Sequence, residues 1–240
     1  MIKKRAVRSK VYGTALNDCL WSVHEWNLDI RRFEIYLTGH PIEYSSGDDG
    51  NSREEPGVEY QMSARLIKNL NILADLDPAK PILIHMKTNG GDWNEGMAIY
   101  DALNYARNPI VILNYTHARS MSSIILQAAD RRIMMPNSNF MFHEGTVAAS
   151  DTYKGFMSFA EWAKRDNEIM KEIYANRMLE RGRFSKWAKI KIKEMLQESM
   201  DKKQEKFLTA TETVSWGLAD AVFDGNWQKL VKYVRNKGKK

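Results

Sequence analysis

The chain is nearly without cysteine and has no long apolar run. Of its 240 residues one is cysteine, Cys19, and six are proline. A single thiol makes no internal disulfide and no cysteine-ligated metal site, so Cys19 reads as a packing residue. No stretch approaches the ~20 uninterrupted apolar residues of a membrane helix, and the basic start Met1 to Lys10 is followed by no apolar signal-peptide core. The expected compartment is the cytoplasm, with no membrane partner. At 43% apolar residues the composition also excludes a disordered or collagen-like chain and suits one globular domain.

Acidic residues are missing from both ends. Residues 1 to 10 carry five basic side chains and no acid, and residues 227 to 240 carry six basic and no acid. Of 36 basic residues this leaves 25 for the body, against 30 acidic ones. A slightly acidic body argues against a nucleic-acid-binding face built into the fold. The division expected is a basic N-terminal segment over 1–30, a domain over 31–226 and a basic C-terminal tail over 227–240, the tails being solvated.

Within the body, strands and helices alternate. Phe33 to Thr38 reads as a short strand, followed by a polar, acidic surface loop from Glu43 to Gly57. Met62, Leu66, Ile67, Leu70 and Leu73 recur at spacings of three and four, which predicts a helix over Tyr60 to Leu76. Pro81 to Met86 is a buried strand, Trp93 to Arg107 a helix, and Pro109 to Tyr115 the next strand. His117 to Ser120 is a connection into a small-residue helix, Met121 to Ala129. Two strands follow, Arg131 to Met135 and Phe140 to His143, joined by a turn at Pro136 to Ser138. Long helices are expected over Tyr153 to Leu179 and from Ser185 to about Lys206, broken at Gly182, and then a helical turn (Thr211 to Trp216) and a last strand (Ala219 to Phe223). The pattern is that of an α/β domain with right-handed crossovers.

Three elements carry possible chemistry. Asn89-Gly90-Gly91-Asp92, at the carboxyl end of a strand, is either a plain turn or a loop that aims backbone N–H groups at developing negative charge. Ser120, at the start of the Met121 helix, is either a helix N-cap or a nucleophile. His143, at the end of an apolar strand, is a candidate base, with His85 and His117 as rivals. A Ser-His pair also needs a carboxylate to orient the imidazole, and Glu144, Asp151, Asp201 and Glu205 are all available.

Taken together, these residues resemble the proteolytic subunit of the Clp protease, a self-compartmentalising serine peptidase family with a crotonase-like fold, a repeated β-β-α spiral with a helical handle. The similarity runs from about Phe33 to Asp224. It rests on Lys87-Thr88-Asn89-Gly90-Gly91, Gly96-Met97-Ala98-Ile99-Tyr100-Asp101, Arg119-Ser120-Met121-Ser122, Pro136-Asn137-Ser138, Met141-Phe142-His143, Phe207-Leu208-Thr209-Ala210 and Gly217-Leu218-Ala219-Asp220. The resemblance implies a catalytic domain over 31–226, with Ser120 as nucleophile, His143 as general base and an oxyanion hole from the N–H groups of Gly91 and Met121. Glu205 occupies the family's aspartate position, with Asp201 one helical turn earlier as the substitute.

It further implies a homo-oligomer, a heptameric ring or double ring, that cleaves unfolded polypeptide. The subunit would use no cofactor and no metal, and ATP would be spent by a separate AAA+ unfoldase. Several residues depart from the family pattern. Asn89 replaces a proline, Glu144-Gly145 replace Gln-Pro, and Arg119 replaces a small residue, either adding positive charge near the oxyanion or pairing with Glu144. The stretch between His143 and Phe207 is longer than the family norm and basic (Arg181, Arg183, Lys186, Lys189, Lys191, Lys193). Two other readings stand beside the peptidase: a non-catalytic ring subunit, and an acyl-CoA enzyme of the crotonase superfamily.

Overall fold

The computed structural model describes residues 19–39, 57–146 and 151–231. The acidic loop from Glu43 onward, Gly57 excepted, lies outside them, as do the outer parts of both basic termini. A helix over residues 19–26 (α1) leads into β1 (Leu28–Asp29) and β2 (Glu34–Leu37). There follow α2 (Tyr60–Leu76), β3 (Ile82–Thr88), α3 (Trp93–Asn104), β4 (Ile110–Arg119), α4 (Met121–Gln127), β5 (Arg131–Met134) and β6 (Asn139–His143). The long helices are α5 (Tyr153–Glu180) and α6 (Lys189–Lys202), and the chain continues through β7 (Glu205–Thr209), α7 (Ala210–Trp216), β8 (Ala221–Val222) and α8 (Trp227–Leu230).

The main sheet runs in the order β1-β2-β3-β4-β5-β8, all parallel except the β1–β2 edge pair. Successive side chains of a strand point to opposite faces, and here both faces are covered, so β3 reads as one apolar run. Ile82, Ile84 and Met86 of β3, with Ile110 and Ile112 of β4, join the large core under the helices. Leu83, Val111, Leu113 and Ile133 form a smaller cluster on the other face, closed by Leu230 of α8. Residues 227–231 are thus folded onto the sheet.

Two boundaries differ from the sequence reading in ways that matter. The stretch His117 to Arg119, expected as a connection, is strand: β4 pairs with β5 from Val111 to Asn114, then with β6 from His117 to Arg119. Glu205, expected at the end of a helix, instead begins β7, because α6 stops at Lys202 and the next residues pair antiparallel with β6. Local periodicity could not reveal either pairing, since the partner strand lies far away in sequence.

Part of the basic handle is neutralised. Lys193 Nζ lies 3.0 Å from Glu168 and 3.7 Å from Glu172, and Lys189 Nζ lies 2.5 Å from Glu172. These tie α6 to α5 through half-exposed pairs, each worth little by itself.

A buried ion pair locks the back of the domain. Arg132, 2% exposed, donates from Nη2 to Asp220 Oδ1 at 2.7 Å, and from Nη1 to Gln127 Oε1 at 2.8 Å and to the Gly217 carbonyl at 3.1 Å. Burial by itself would raise the Asp220 carboxyl, but the guanidinium of Arg132 and its hydrogen bonds, with Arg181 beside it, hold it below the usual carboxylate range. Asp220→Ala leaves Arg132 buried without its counter-charge, and a loss of about 3 kcal/mol is expected in urea unfolding. Because the folded pKa is depressed, this contribution is present above pH ~4 and disappears as pH falls through the folded value; the variant's deficit should shrink accordingly in acid. A deficit that stays constant from pH 7 down to pH 3 would refute the assignment.

Candidate active site

The switch of partners along β4 builds the site. Ser120 follows directly on β4, and its N–H donates to the Met141 carbonyl of β6 at 3.1 Å. That bond pins the turn two residues before His143. His143 Nε2 and Ser120 Oγ are then 2.8 Å apart. The distance is that of a hydrogen bond between a hydroxyl and an imidazole.

Ser120 has φ +48° and ψ −128°, a region that residues with a Cβ rarely occupy. It stands at the N-cap position of α4, but its hydroxyl makes no capping bond and faces His143 instead. The two serines after it are buried and structural. Ser122 Oγ donates to the Arg119 carbonyl at 2.7 Å and accepts from the Arg119 N–H at 2.8 Å. Ser123 Oγ bonds the Ser120 carbonyl and lies 2.6 Å from the Tyr174 hydroxyl.

The glycine loop presses against this turn. Gly90 has φ +102°, and a Cβ there would stand 2.7 Å from the Arg119 carbonyl oxygen and 2.9 Å from both Met121 N and Ser120 Cβ. Gly91 is held from the other side by Val58: Val58 N–H donates to the Gly90 carbonyl at 2.6 Å and Asp92 N–H to the Val58 carbonyl at 2.8 Å. A parallel bridge of this kind uses the amides flanking Gly91 and leaves its own N–H pointing away from Val58. Met121 is the first residue of α4, so its N–H has no carbonyl one turn earlier to bond.

The antiparallel register of β6 and β7 puts Glu205 directly opposite His143. Directly opposed side chains stand on one face of a sheet with Cβ atoms about 5 Å apart. Glu205 is exposed and, among the described residues, its carboxylate makes no hydrogen bond or ion pair. Asp201 is turned elsewhere: Gln197 Nε2 donates to it at 2.9 Å and to Glu144 Oε1 at 2.8 Å. Asp151 accepts from the Thr152 N–H at the start of α5.

The rival histidines are committed or displaced. His85 Nδ1 lies 2.9 Å from the Tyr115 hydroxyl and its Nε2 3.3 Å from Glu34, whose carboxyl the imidazole holds below its usual range. His117, on β4, is pushed toward its neutral form by burial and by Arg119 and Lys87. Neither hydrogen-bonds Ser120. The expected pairing of Arg119 with Glu144 is not formed: Arg119 Nε donates to Asn139 Oδ1 at 2.9 Å, and its guanidinium lies 5.2 Å from the centre of the Phe207 ring.

A cleft of ≈ 700 Å³ opens beside Ser120 and His143. One wall is a stripe of α5, Phe159, Trp162, Ala163, Asp166, Asn167 and Met170, and Trp93 and Ile124 line the cleft as well. The sequence reading missed these residues. Their spacing of three and four marks one helical face, but nothing in it tells what that face meets.

An α/β layer fold with a serine and a histidine paired at the carboxyl edge of its sheet defines the class. The Clp protease family model matches residues 55–226, so the chain belongs to the Clp protease family, whose resemblance the motifs already carried. The chain is 29% identical over 171 residues to an ATP-dependent Clp protease proteolytic subunit of Deinococcus radiodurans, covering 70% of this chain and 76% of that protein. It is 26% identical over 167 residues to an ATP-dependent Clp protease proteolytic subunit 2 of Treponema denticola, covering 69% and 77%. The mixed α/β sheet agrees with that family's fold, and the relationship supports a Clp-type peptidase. Among the described residues no helix is long and apolar enough to cross a membrane.

Because Gly90 touches three backbone or Cβ atoms of the serine turn, Gly90→Ala should destabilise the protein by about 1–3 kcal/mol through overpacking and a strained φ. Thermal unfolding measures it. A melting temperature within a degree of wild type would mean that the loop can retreat.

Proposed function

We propose that the chain is a serine endopeptidase of the Clp type. The observation that carries this is the 2.8 Å contact of Ser120 Oγ with His143 Nε2 at the start of α4. In this reading Ser120 Oγ attacks a peptide carbonyl while His143 Nε2 accepts the hydroxyl proton. The carbonyl oxygen becomes an oxyanion held by the N–H groups of Gly91 and Met121. The imidazolium returns the proton to the leaving amine, and water hydrolyses the acyl-enzyme with the same histidine as base. Glu205, in register with His143, orients Nδ1–H and stabilises the imidazolium once the side chain turns inward.

The chemistry calls on no metal or cofactor in this subunit. The substrate is unfolded polypeptide, cleaved inside a homo-oligomeric ring or double ring. Both relatives are named ATP-dependent, and by analogy ATP is spent by a separate AAA+ unfoldase that feeds the chamber. One observation favours a second reading, that of a non-catalytic ring subunit: the Glu205 carboxylate makes no bond to the histidine it faces across the strands.

Intact-mass labelling with a fluorophosphonate, run beside native mass spectrometry, separates the two. Stoichiometric labelling of the wild type that is lost in Ser120→Ala is the expected result, with both proteins assembling alike. An assembled ring that never labels would establish the non-catalytic subunit. Glu205→Gln should lower the labelling rate by about 100-fold or more without changing assembly, since a mis-set imidazole tautomer is costly. A rate within threefold of wild type would remove Glu205 from the triad.

A further inference from the structure

The cleft beside Ser120 holds a carboxylate that the catalytic reading does not use. Asp166 lies on the cleft-facing stripe of α5, one turn after Trp162 and one turn before Met170. It is partly buried and, among the described residues, makes no hydrogen bond or ion pair. The neighbouring polar groups are otherwise engaged. Asp92 caps α3 by accepting from the Glu95 N–H at 2.9 Å. Asn167 Oδ1 receives the Gly145 N–H at 3.4 Å. Arg165, next to Asp166 in sequence, lies over the Trp162 ring at 4.6 Å from its centre and forms no ion pair with Asp166.

Burial pushes the Asp166 carboxyl up, and Arg165 offsets this only in part. A partly desolvated carboxylate with no hydrogen bond or ion pair can gain from a ligand that supplies positive charge. On its own stripe of α5 the neighbours in the cleft are mostly apolar: Phe159, Trp162, Ala163 and Met170, with Trp93 and Ile124 lining the cleft as well. An apolar wall ending in one unpaired carboxylate fits a long methylene stem that carries a cationic head.

We propose that Asp166 is a specificity-determining residue that selects lysine or arginine at the position whose carbonyl Ser120 attacks. The stem lies along Trp162 and Phe159, and the ammonium or guanidinium donates to the Asp166 carboxylate. The inference rests on the peptidase reading of Ser120 and His143, and adds to it the class of bond that is cut.

The test compares kcat/KM of the full-length assembled protein on two fluorogenic peptides that differ only in carrying lysine or norleucine at that position. Norleucine keeps the stem and removes the charge. The wild type should favour lysine by about tenfold, the effect of one charge-assisted hydrogen bond. Asp166→Asn should collapse that ratio to near one, and Asp166→Glu should restore part of it, which a merely structural role would not do. The inference is overturned if the ratio is the same in Asp166→Asn, or if the wild type prefers norleucine or cleaves neither peptide while Ser120 still takes the fluorophosphonate. Failure of Ser120 to label at all overturns the peptidase reading beneath it as well.

Discussion

Everything at the site depends on β4 changing partners halfway along its length. Up to Asn114 it is a central strand of the parallel sheet, hydrogen-bonded to β5. Beyond that point β5 has ended, and after the turn at Pro136-Asn137-Ser138 the chain continues in the same direction as β6, farther along β4. Ser138 closes this turn, its N–H and hydroxyl both donating to the Met135 carbonyl at 3.0 and 2.7 Å. The last residues of β4 therefore meet β6 rather than β5. Ser120 and His143, 23 residues apart in sequence, become hydrogen-bonded neighbours. The addition of β7 on the far side of β6 then sets Glu205 opposite His143. Ser120 thus follows β4, His143 ends β6 and Glu205 begins β7, on three neighbouring strands of the sheet.

Holding the serine there costs free energy locally. A non-glycine residue at φ +48° is strained by about 1–3 kcal/mol, and the turn keeps that conformation because its surroundings over-determine it. The Met141 carbonyl holds the amide, Gly90 packs from one side, and the hydroxyls of Ser122 and Ser123 tie the following turn to the Arg119 and Ser120 carbonyls. Behind them α4 is buried along its whole length, and Tyr174 of α5 closes over Ser123. Burial drives the Tyr174 hydroxyl far above its ordinary range, so it serves as a neutral hydrogen-bonding group at every accessible pH.

The same helix α5 does two jobs along its length. Its second half buries Met170, Ile173, Tyr174 and Met178 against the core. Its first half extends past the core edge, where Phe159 and Trp162 stay about half exposed and line the cleft. The serine turn and the cleft wall beside it are thus tied to one packed element, the turn through Tyr174 and the wall through Phe159 and Trp162.

Much of this was legible in the sequence. Apolar spacing delimited α2 at Tyr60 and Leu76, because that helix buries one stripe along its length, and α5 was placed to within a residue at its end. The motifs at Gly90-Gly91, Ser120-Met121 and Met141-Phe142-His143 marked segments that the fold brings together, since few residue types can occupy a positive-φ loop. The chain alone could not choose among four carboxylates, and it offered Arg119 a partner, Glu144, that it does not take. Strand pairing decides what each of these residues faces. Glu205 faces His143 because α6 ends early and β7 joins β6, and Arg119 reaches Asn139 because β4 runs on beside that strand. The cleft facing Asp166 was hidden for the same reason. A sequence fixes which residues share a face through local periodicity, but which faces meet is decided by contacts between residues far apart in the chain.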